Sequence, residues 1–285
     1  MTQRVLILGA SGKVGRHSRR AFEAAGWDVR LFDRANDDLT RAAQGCDVIV
    51  NGMNPPNYHN WKGILPEITK MVISAAQDTQ ATVILPGNVY HFGDQGGLWS
   101  EMTIPNPVSR KGEIRLAMER VYAASGVQTI VLRAGNFIDP DHRNCVMSLL
   151  YLRNLERNKI TLPGPPDTRQ AMCFLPDWAE AAVALAEIRD QLGLFEDLPF
   201  GGHTLTGHDI KNGLEQILKR DLEFVRVPWW LFTLTSPVWE MAREMNEMRY
   251  LWNTDHALSN ARLSQLLPKL EATPLEEVLR KMLPR

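Results

Sequence analysis

The stretch LILGASGKVGR, residues 6–16, decides the fold of this chain. It leads from an apolar run through a turn with glycines at 9, 12 and 15 into a helical pattern. Glycines leave no Cβ in the turn, so backbone N–H groups and the positive end of the helix dipole can approach an anion. The pattern predicts a turn that binds the diphosphate of a dinucleotide. The residues that we assign to this turn are Gly9, Ser11, Gly12, Lys13, Val14 and Gly15.

Short β-branched runs alternate with helical patterns through the first half of the chain. Continuous apolar runs of strand length are typical of strands that are covered on both faces. The predicted strands are 4–8, 28–32, 47–50, 81–85 and 128–132, and the predicted helices include 12–26, 61–77 and 113–126. This βαβα order predicts an α/β fold of the Rossmann type, a doubly wound parallel sheet with right-handed crossovers.

The pattern loosens after residue 135, where Pro- and Gly-rich pieces separate shorter elements. The predicted elements are a helix at 145–156, a strand at 170–175, a helix at 177–189 and several helices beyond 207. We therefore expect a dinucleotide-binding domain, 1–135, and a smaller, mostly helical substrate-binding cap, 136–285. Within that cap, residues 170–205 are expected to return to the sheet.

The end of the second predicted strand carries the residue that selects the cofactor. The Asp33 carboxylate can accept hydrogen bonds from both adenosine ribose hydroxyls and would repel a 2′-phosphate, which favours NAD. Arg34 follows directly, and its guanidinium could pair with a 2′-phosphate, so NADP stays open. Met53, in the loop after the third predicted strand, is assigned to the same site.

Composition excludes several classes of protein. The 285 residues are 44% hydrophobic and 23% charged, which is ordinary for a globular chain with one large or two modest domains. A formal net charge of -1, without a run of Lys or Arg, argues against nucleic acid as a partner. The three cysteines are widely spaced and predict a reducing, cytoplasmic setting without zinc or disulfides. No His, Asp or Glu cluster has the spacing of metal ligands.

The richest apolar run is VPWWLFTLTSPVW, residues 227–239. It is short and bounded by prolines, whereas a membrane span needs about 20 apolar residues. We therefore expect a buried segment or a lid over a pocket, and no membrane partner. The amino terminus shows no signal-peptide organisation either.

Three further stretches resemble the short-chain dehydrogenases/reductases, in their extended or atypical form, the NAD-dependent epimerase/dehydratase group. VILPGNVYHFG (83–93) is similar to that family's strand ending in Ser-Ser…Val-Tyr-Gly, VLRAGNFIDP (131–140) to its Arg…Asn…Gly-Pro loop, and CFLPDWAEAAVALAE (173–187) to its Val-Asp-Asp-Val-Ala helix start. The resemblance covers nearly the whole chain. It implies a bound NAD or NADP and hydride exchange with a hydroxyl or carbonyl group.

The residues that perform this chemistry in the family are replaced here. The family has Ser or Thr at the end of the strand 81–85, and a Tyr-x-x-x-Lys pair on the helix that follows. Alignment on NVY puts Pro86 in the Ser/Thr place, with Lys111 and Arg115 in the places of the Tyr and the Lys. The glutamate that follows in the family is present as Glu119.

Two interpretations of Lys111 stay open. Burial and the neighbouring cation could lower the pKa of its amine, making it a base as in the isoflavone-reductase-like relatives. Alternatively, Lys111 reaches solvent, does no chemistry and pairs with Glu113. Arg115 cannot act as a base but could hold the nicotinamide ribose hydroxyls.

Other candidates lie on loops at the carboxyl ends of the predicted strands, where open α/β sheets bind ligands. Asn88 could hydrogen-bond a substrate hydroxyl, and Tyr90 could replace the missing tyrosine. Asn136 matches the family's substrate-contacting asparagine, and Arg169 could bind a phosphate or carboxylate, although a surface role is favoured. Tyr58, His59 and His91 are expected on the loops that rim the same cleft, the two histidines at the surface rather than in the site.

Two functions follow. The first is an NAD(P)-dependent oxidoreductase or epimerase/dehydratase-like enzyme acting on a polar, sugar-like or nucleotide-sugar substrate with a non-standard acid/base residue. The alternative is a non-catalytic, NmrA-like regulator that binds NAD(P) and senses its redox state. We favour the enzyme and leave a homodimer open.

Overall fold

The computed structural model describes residues 2–55, 59–141 and 145–283. In chain order the strands are β1 (Arg4–Leu8), β2 (Asp28–Leu31), β3 (Val48–Asn51), β4 (Thr82–Gly87), β5 (Gly97–Trp99), β6 (Thr129–Arg133), β7 (Asn136–Ile138), β8 (Lys159–Leu162), β9 (Gln170–Phe174), β10 (Phe195–Pro199), β11 (His203–Leu205), β12 (Glu223–Arg226) and β13 (His256–Leu258). The helices are α1 (Lys13–Ala24), α2 (Leu39–Ala43), α3 (Trp61–Thr79), α4 (Arg110–Ala124), α5 (Leu175–Glu187), α6 (Gly207–Leu218), α7 (Trp229–Thr235), α8 (Glu240–Glu247), α9 (Ala261–Leu266) and α10 (Leu275–Met282).

A six-stranded sheet in the order β10-β6-β4-β3-β1-β2 forms the centre of the molecule. All of its neighbouring strands are parallel. The strand order reverses between β1 and β3, which is where doubly wound sheets bind ligands at their carboxyl edge. The predicted fold class is confirmed.

Helices cover both faces of this sheet because its strands are apolar on both sides. On one face α1 and α5 bury Phe22 and Trp178, while on the other α3 and α4 bury Val72 and Tyr122. The Trp178 indole also donates a 3.0 Å hydrogen bond to the carbonyl of Leu132, which ties α5 to the sheet. The two helical layers leave the carboxyl edge of the sheet as the place for a site.

The remaining strands belong mainly to smaller sheets over this edge. Among the described residues these sheets have the orders β11-β9-β7, β12-β8 and β13-β5. A separate apolar cluster, including Tyr151, Phe174 and Leu279, forms the core of this part. Strand β10 pairs with β6 in the central sheet, so the chain crosses back to it after β9 and α5.

The prediction of a regular α-helix at 145–156 is wrong. A π-helical turn occupies Met147–Tyr151, and a 3₁₀ turn occupies Leu155–Arg157. The wider turn is closed by the hydrogen bond from Leu152 N to Met147 O, 2.9 Å long. Met147, Tyr151 and Leu155 are all buried in the cap core, and packing this one side overrides regular α-helix geometry.

The expectation that residues 227–239 form a buried segment is also wrong for most of their side chains, while a lid over a pocket stays a prediction. Trp229 is buried, but Trp230 is 65% exposed and Val238 is 90% exposed. The sequence pattern cannot reveal this, because the short helix α7 packs on the body through one side only.

None of the helices in the described parts of the chain combines the length and the apolar character that crossing a bilayer requires. Cys46, Cys145 and Cys173 are free and buried.

Candidate active site

The glycine turn brings three backbone segments into contact. Gly9 has φ of 70°, and a Cβ on it would lie 2.8 Å from the carbonyl oxygen of Gly52. A Cβ on Gly15 would collide with the Gly9 carbonyl. These two glycines therefore permit α1 to pack directly on the ends of β1 and β3. A side chain at either position would push the helix start away from the sheet.

Gly12 plays a different part, since a Cβ there would meet only the Gly9 carbonyl oxygen, at 3.1 Å. Gly12 is exposed and is the N-cap of α1, where no side chain caps the helix. The first N–H groups of a helix have no intrahelical acceptor, so an uncapped, open N-terminus suits an anion. The geometry of this turn fits the diphosphate of a dinucleotide.

The other turn residues support the same arrangement. Val14 is buried in the core beneath the turn, and Ser11 is exposed, its carbonyl accepting a 3.0 Å hydrogen bond from the Arg16 guanidinium. Lys13 is half-buried, and burial lowers the pKa of its amine despite the nearby Cys145 and Asp139. A cation is thus built into the first turn of α1.

Asp33 follows β2 at the carboxyl edge and is exposed. Its carboxylate accepts hydrogen bonds from Ala35 N (2.9 Å) and Asn36 Nδ2 (2.6 Å), and these lower the pKa of the acid. The loop 33–37 therefore holds the carboxylate ionised beside the cofactor turn. Arg34 is exposed on the same loop.

The loop after β3 lies against the glycine turn. Met53 N donates to Asn51 Oδ1 at 3.2 Å and sits 3.1 Å from the place of a Cβ on Gly9. The next residue but one, Pro55, accepts a 3.5 Å hydrogen bond from the Trp61 indole. This loop therefore links the predicted cofactor turn to the start of α3.

Lys111 lies at the start of α4, which begins with Ser109 as its N-cap. The lysine is buried, and its Nζ forms ion pairs with the carboxylates of Glu244 and Glu247, the latter at 2.6 Å. Burial alone would raise the pKa of Glu247, but hydrogen bonds and charge from Lys111 lower it. Lys111 therefore ties α4 to α8 in the cap.

This arrangement corrects the second interpretation of Lys111. The side chain is 3% exposed and pairs with α8, so it neither reaches solvent nor takes Glu113 as its partner. Its Nζ already donates to two carboxylates and lies 3.4 Å from the Glu244 carbonyl. These contacts direct the amine toward α8, and its role as a base stays a prediction.

Arg115 lies in an aromatic stack at the same edge. Its guanidinium carbon is 4.7 Å from the centre of the Trp61 ring, and Nη2 donates a 2.8 Å hydrogen bond to Asn54 Oδ1. The Trp61 ring stacks in turn on Tyr90, with centroids 6.5 Å apart. We call Arg115, Trp61 and Tyr90 the cation–aromatic stack.

Asn88 and Tyr90 follow β4 and share a tight turn. Asn88 Oδ1 accepts a 3.0 Å hydrogen bond from Tyr90 N, which fixes the loop rather than presenting that oxygen to a ligand. The hydroxyl of Tyr250 lies 3.3 Å from the Tyr90 carbonyl and 3.4 Å from Ser109 Oγ. Burial raises the pKa of Tyr250.

Beneath these residues Arg133 is fully buried at the end of β6. It forms a bidentate ion pair with Asp197 and a second pair with Glu119, whose carboxylate lies 2.8 Å from Nη2. Arginine only donates hydrogen bonds, so the His91 Nδ1 that lies 3.2 Å away accepts one. The expectation that His91 lies at the surface is wrong, because it is 2% exposed. The pKa of His91 is lowered to about 3, mainly by burial and to a smaller extent by the charge of Arg133.

Two groups of acidic residues and histidine come together in space although the sequence spacing gives no sign of them. One is His91, Glu119 and Asp197, and the other is His17, Asp139 and Asp141. An arginine supplies the cation in each, Arg133 in the first and Arg16 in the second. Both are ion-pair networks, and the second joins α1 to the loop after β7.

The remaining candidates lie further out. Asn136 is half-buried in β7, where its backbone pairs with Met172 of β9. Arg169 is exposed and pairs with Asp255 at 2.8 Å. His59 is exposed and lies 3.3 Å from a Glu240 carboxylate oxygen. Tyr58 lies outside the described residues.

A groove of about 1120 Å³ lies away from these residues, between α1, α5 and α10. Arginine and lysine side chains line it, but Arg20 pairs with Asp141 and Lys281 pairs with Glu277. The candidate chemistry sits at the sheet edge, and this groove has no part in it.

Comparisons with known proteins bear on the fold. No protein-family model and no curated protein matches the sequence. Among solved structures, MoeE5 in complex with UDP-glucose and NAD has a TM-score of 0.75 at 16% identity, covering 98% of this chain and 97% of that one. UDP-glucuronic acid 4-epimerase from Bacillus cereus, in complex with UDP-glucuronic acid and NAD, has a TM-score of 0.76 at 15% identity, covering 98% of each chain.

TunA, an NAD-dependent NDP-hexosamine 5,6-dehydratase, has a TM-score of 0.74 at 16% identity, covering 99% of this chain and 96% of that one. At these identities the likeness is one of fold. The chain has the fold of NAD-dependent nucleotide-sugar epimerases and dehydratases, and the predicted resemblance is confirmed at that level.

Sequence reasoning missed the partners that surround the candidate site. Asn54 and Trp61 belong to no recognisable motif, and no motif in the sequence predicted that Glu244 and Glu247 lie beside Lys111. One signal was available, because Glu244 falls on the helical face that also carries three methionines of α8 and its end, Met241, Met245 and Met248. A carboxylate on an apolar face needs a buried cation as its partner.

Proposed function

We propose that the protein is an NAD-dependent enzyme of the epimerase/dehydratase type that acts on a polar, nucleotide-linked sugar. The observation that carries the proposal is the open, uncapped N-terminus of α1, held against the sheet by Gly9 and Gly15. Fold likeness over nearly the full length of NAD-bound nucleotide-sugar enzymes supports the substrate class. NAD supplies the hydride acceptor and donor of such chemistry.

The chain's own residues divide the work of holding the cofactor. The N–H groups of the glycine turn and the Lys13 cation are assigned to the diphosphate. The ionised Asp33 is assigned to the adenosine ribose, which favours NAD over NADP. Arg115, the cation of the cation–aromatic stack, is assigned to the nicotinamide ribose. Residues 1–135 form the cofactor-binding part and residues 136–285 the substrate-binding part of this proposal.

Tyr90 is the proposed acid/base residue. It lies at the carboxyl end of β4, half-buried, with its ring against Trp61 and its backbone fixed by Asn88. A phenol there can exchange a proton with a substrate hydroxyl, the part that the family assigns to the missing tyrosine. Lys111 is a positioning residue, because it holds α8 of the cap onto α4. Asn136 and Arg169 are proposed to contact the substrate.

Calorimetric titration with NAD tests the cofactor site. Gly12→Asp places a carboxylate at the open N-terminus of α1 and should weaken NAD binding at least about tenfold through charge repulsion. The matched control is Gln191→Glu, which adds the same charge at an exposed position in the turn Arg189–Gln191. Absence of NAD binding by the parent protein, or equal binding by Gly12→Asp, would contradict the assignment.

Turnover is tested separately, with UDP-glucose and UDP-glucuronic acid as probes and both absorbance and product chromatography as readouts. Tyr90→Phe should lower kcat about a hundredfold while leaving NAD affinity within threefold, since only proton transfer is lost. Tyr151→Phe, in the buried cap core, is the matched control. Equal rates for Tyr90→Phe and the parent would remove Tyr90 from the mechanism.

One observation favours the alternative, a regulator that binds NAD(P) without turning it over. Both positions of the family's Tyr-Lys pair are already engaged, Lys111 by two glutamates and Arg115 by the cation–aromatic stack. A regulator should bind NAD and NADH with clearly different affinities and show no turnover with any probe. Turnover that is lost in Tyr90→Phe would exclude it.

A homodimer and a cytoplasmic location also belong to this proposal. Three buried, free thiols are typical of a reducing compartment. Light scattering of the purified chain is the measurement that decides the oligomeric state.

A further inference from the structure

Five large apolar side chains between residues 230 and 239 are open to solvent. Trp230 is 65% exposed, Leu231 41%, Leu234 70%, Val238 90% and Trp239 50%. Trp230, Leu234 and Val238 follow one another at helical spacing along α7 and the turn after it, where Trp239 N bonds to Thr235 O at 2.9 Å. Side chains at this spacing share one side of a helix. We call these five residues the apolar strip.

The segment that carries the apolar strip is anchored to the body of the protein. Trp229, beside it, is buried and donates a 2.7 Å hydrogen bond from its indole to the Pro163 carbonyl. Phe232 packs between the rings of Trp229 and Trp239, with centroids 5.5 and 6.0 Å away. The segment is therefore packed on the body through its inner side while its outer side carries apolar groups. Large exposed apolar patches of this kind mark interaction sites.

The exposed charged residues next to the apolar strip in the sequence are mostly positive. In the fully described stretch 226–249 the exposed charged residues are Arg226, Arg243, Arg249 and Glu240. Glu244 and Glu247 of the same stretch are turned inward onto Lys111. Arg243 lies one turn after Trp239, whose carbonyl accepts its N–H at 3.2 Å. Arg243 also lies 3.6 Å from a Glu244 carboxylate oxygen, and Arg249 lies over the Trp229 ring. With three arginines against one glutamate, which itself faces His59, the exposed charges of this stretch are net positive.

We propose that the apolar strip docks the protein onto the surface of an anionic lipid bilayer. Tryptophans prefer the interface between headgroups and acyl chains, aliphatic side chains enter just below it, and arginines bind lipid phosphates. A protein partner is the other occupant of such a face, and a stable one needs roughly 800 Å² on each side. A bilayer needs only the side chains that insert. This docking is independent of nicotinamide turnover.

Vesicle cosedimentation tests the proposal, with vesicles of phosphatidylcholine alone and of phosphatidylcholine mixed with phosphatidylglycerol. The parent protein should sediment with the anionic vesicles, less so at high salt, and its tryptophan emission should shift to the blue. Trp230→Ser/Leu234→Ser should weaken binding at least about tenfold, because two inserting side chains are lost. Arg243→Gln/Arg249→Gln should weaken it by a similar factor, on anionic vesicles only.

The matched control is Val121→Ser/Leu194→Ser, which removes two apolar side chains of 52% and 56% exposure outside the apolar strip. This control should bind vesicles like the parent. The proposal is overturned if the parent binds no vesicles, if it binds phosphatidylcholine alone equally well, or if the strip and control variants behave alike. Light scattering that shows a dimer dissociated by the strip variant would also overturn it, in favour of a second copy as the occupant.

Discussion

At the residue scale, two buried polar side chains, Arg133 and His91, explain why the site region keeps its shape. Arg133 holds Glu119 and Asp197 together under the loop that carries Tyr90, and its burial is offset by these two carboxylates, which raise its pKa. His91 lies against it as a neutral acceptor. Substitution of Arg133 would leave Glu119 and Asp197 without their ion pair, and substitution of His91 would leave Arg133 without one hydrogen-bond acceptor.

His91 makes stability depend on pH. Its pKa is about 3 in the folded chain against 6.5 when solvated, so between these values the unfolded chain binds a proton that the native chain does not. The free energy of unfolding should therefore fall by about 1.5 kcal/mol from pH 6.5 to pH 5 through this residue. Urea unfolding across this range should show a flatter dependence in His91→Gln. The exposed His208→Gln should keep the parent's slope, and a slope unchanged in both would refute the assignment.

Arg133→Met should be strongly destabilising. It leaves Glu119 and Asp197 buried or half-buried without their cation, which should cost about 3–5 kcal/mol in chemical denaturation. Arg133→Met/Glu119→Gln should recover part of that loss, because one of the two uncompensated charges is removed. Equal stability of the single and double variants would show that the effect comes from packing alone.

At the element scale, α4 joins the central sheet to the cap. Its first turn holds Lys111, which pairs with two glutamates of α8, and its next turn holds Arg115 in the cation–aromatic stack. Position 111 belongs to cofactor chemistry in the family that the sequence resembles. Here Lys111 joins α4 to α8, one turn before Arg115 on the same helix.

Lys111→Met should loosen α8 without unfolding the sheet. Two glutamates lose their cation, and amide hydrogen exchange should become at least about tenfold faster at Ala242–Glu247, while β4 and β6 stay protected. Glu113→Gln, on the exposed side of the same helix turn, is the control and should leave exchange unchanged. Equal protection of α8 in Lys111→Met and the parent would mean that apolar packing alone holds it.

At the scale of the whole molecule, the site is assembled from elements far apart in sequence. The glycine turn, the loop after β3, the end of β4 and the start of α4 meet at the carboxyl edge where the strand order reverses. The smaller sheets and α8 lie over this edge. A ligand bound across it should stabilise the folded chain as one unit.

NAD should therefore raise the melting temperature of the parent protein. At a free concentration one hundred times Kd the added free energy of unfolding is about 2.7 kcal/mol if the ligand binds only the folded state. Differential scanning fluorimetry with NAD and NADP measures this, and a larger shift with NAD would agree with Asp33 as the selecting residue. No shift in the parent, or an equal shift in Gly12→Asp, would contradict the glycine turn as the site.

The sequence by itself determined the parallel sheet and the glycine turn. These features are mostly local: apolar runs of strand length, helical spacing such as Val14, Ser18 and Phe22, and the close approach of Gly15 to Gly9 all act within a few residues. The prediction of an α-helix over 145–156 was wrong because burial of one side of this segment in the cap core overrode the local preference for an α-helix.

Only the tertiary structure decided the partners of the charged residues and the outward face of α7. Lys111 meets glutamates more than 130 positions away, His91 meets Arg133, and Trp230 stays in solvent while Trp229 is buried. Long-range ion pairs and one-sided packing depend on which surfaces the folded chain brings together. The residues next to Lys111 in the sequence do not specify these distant partners. The sequence therefore could not predict that Lys111 joins α4 to α8.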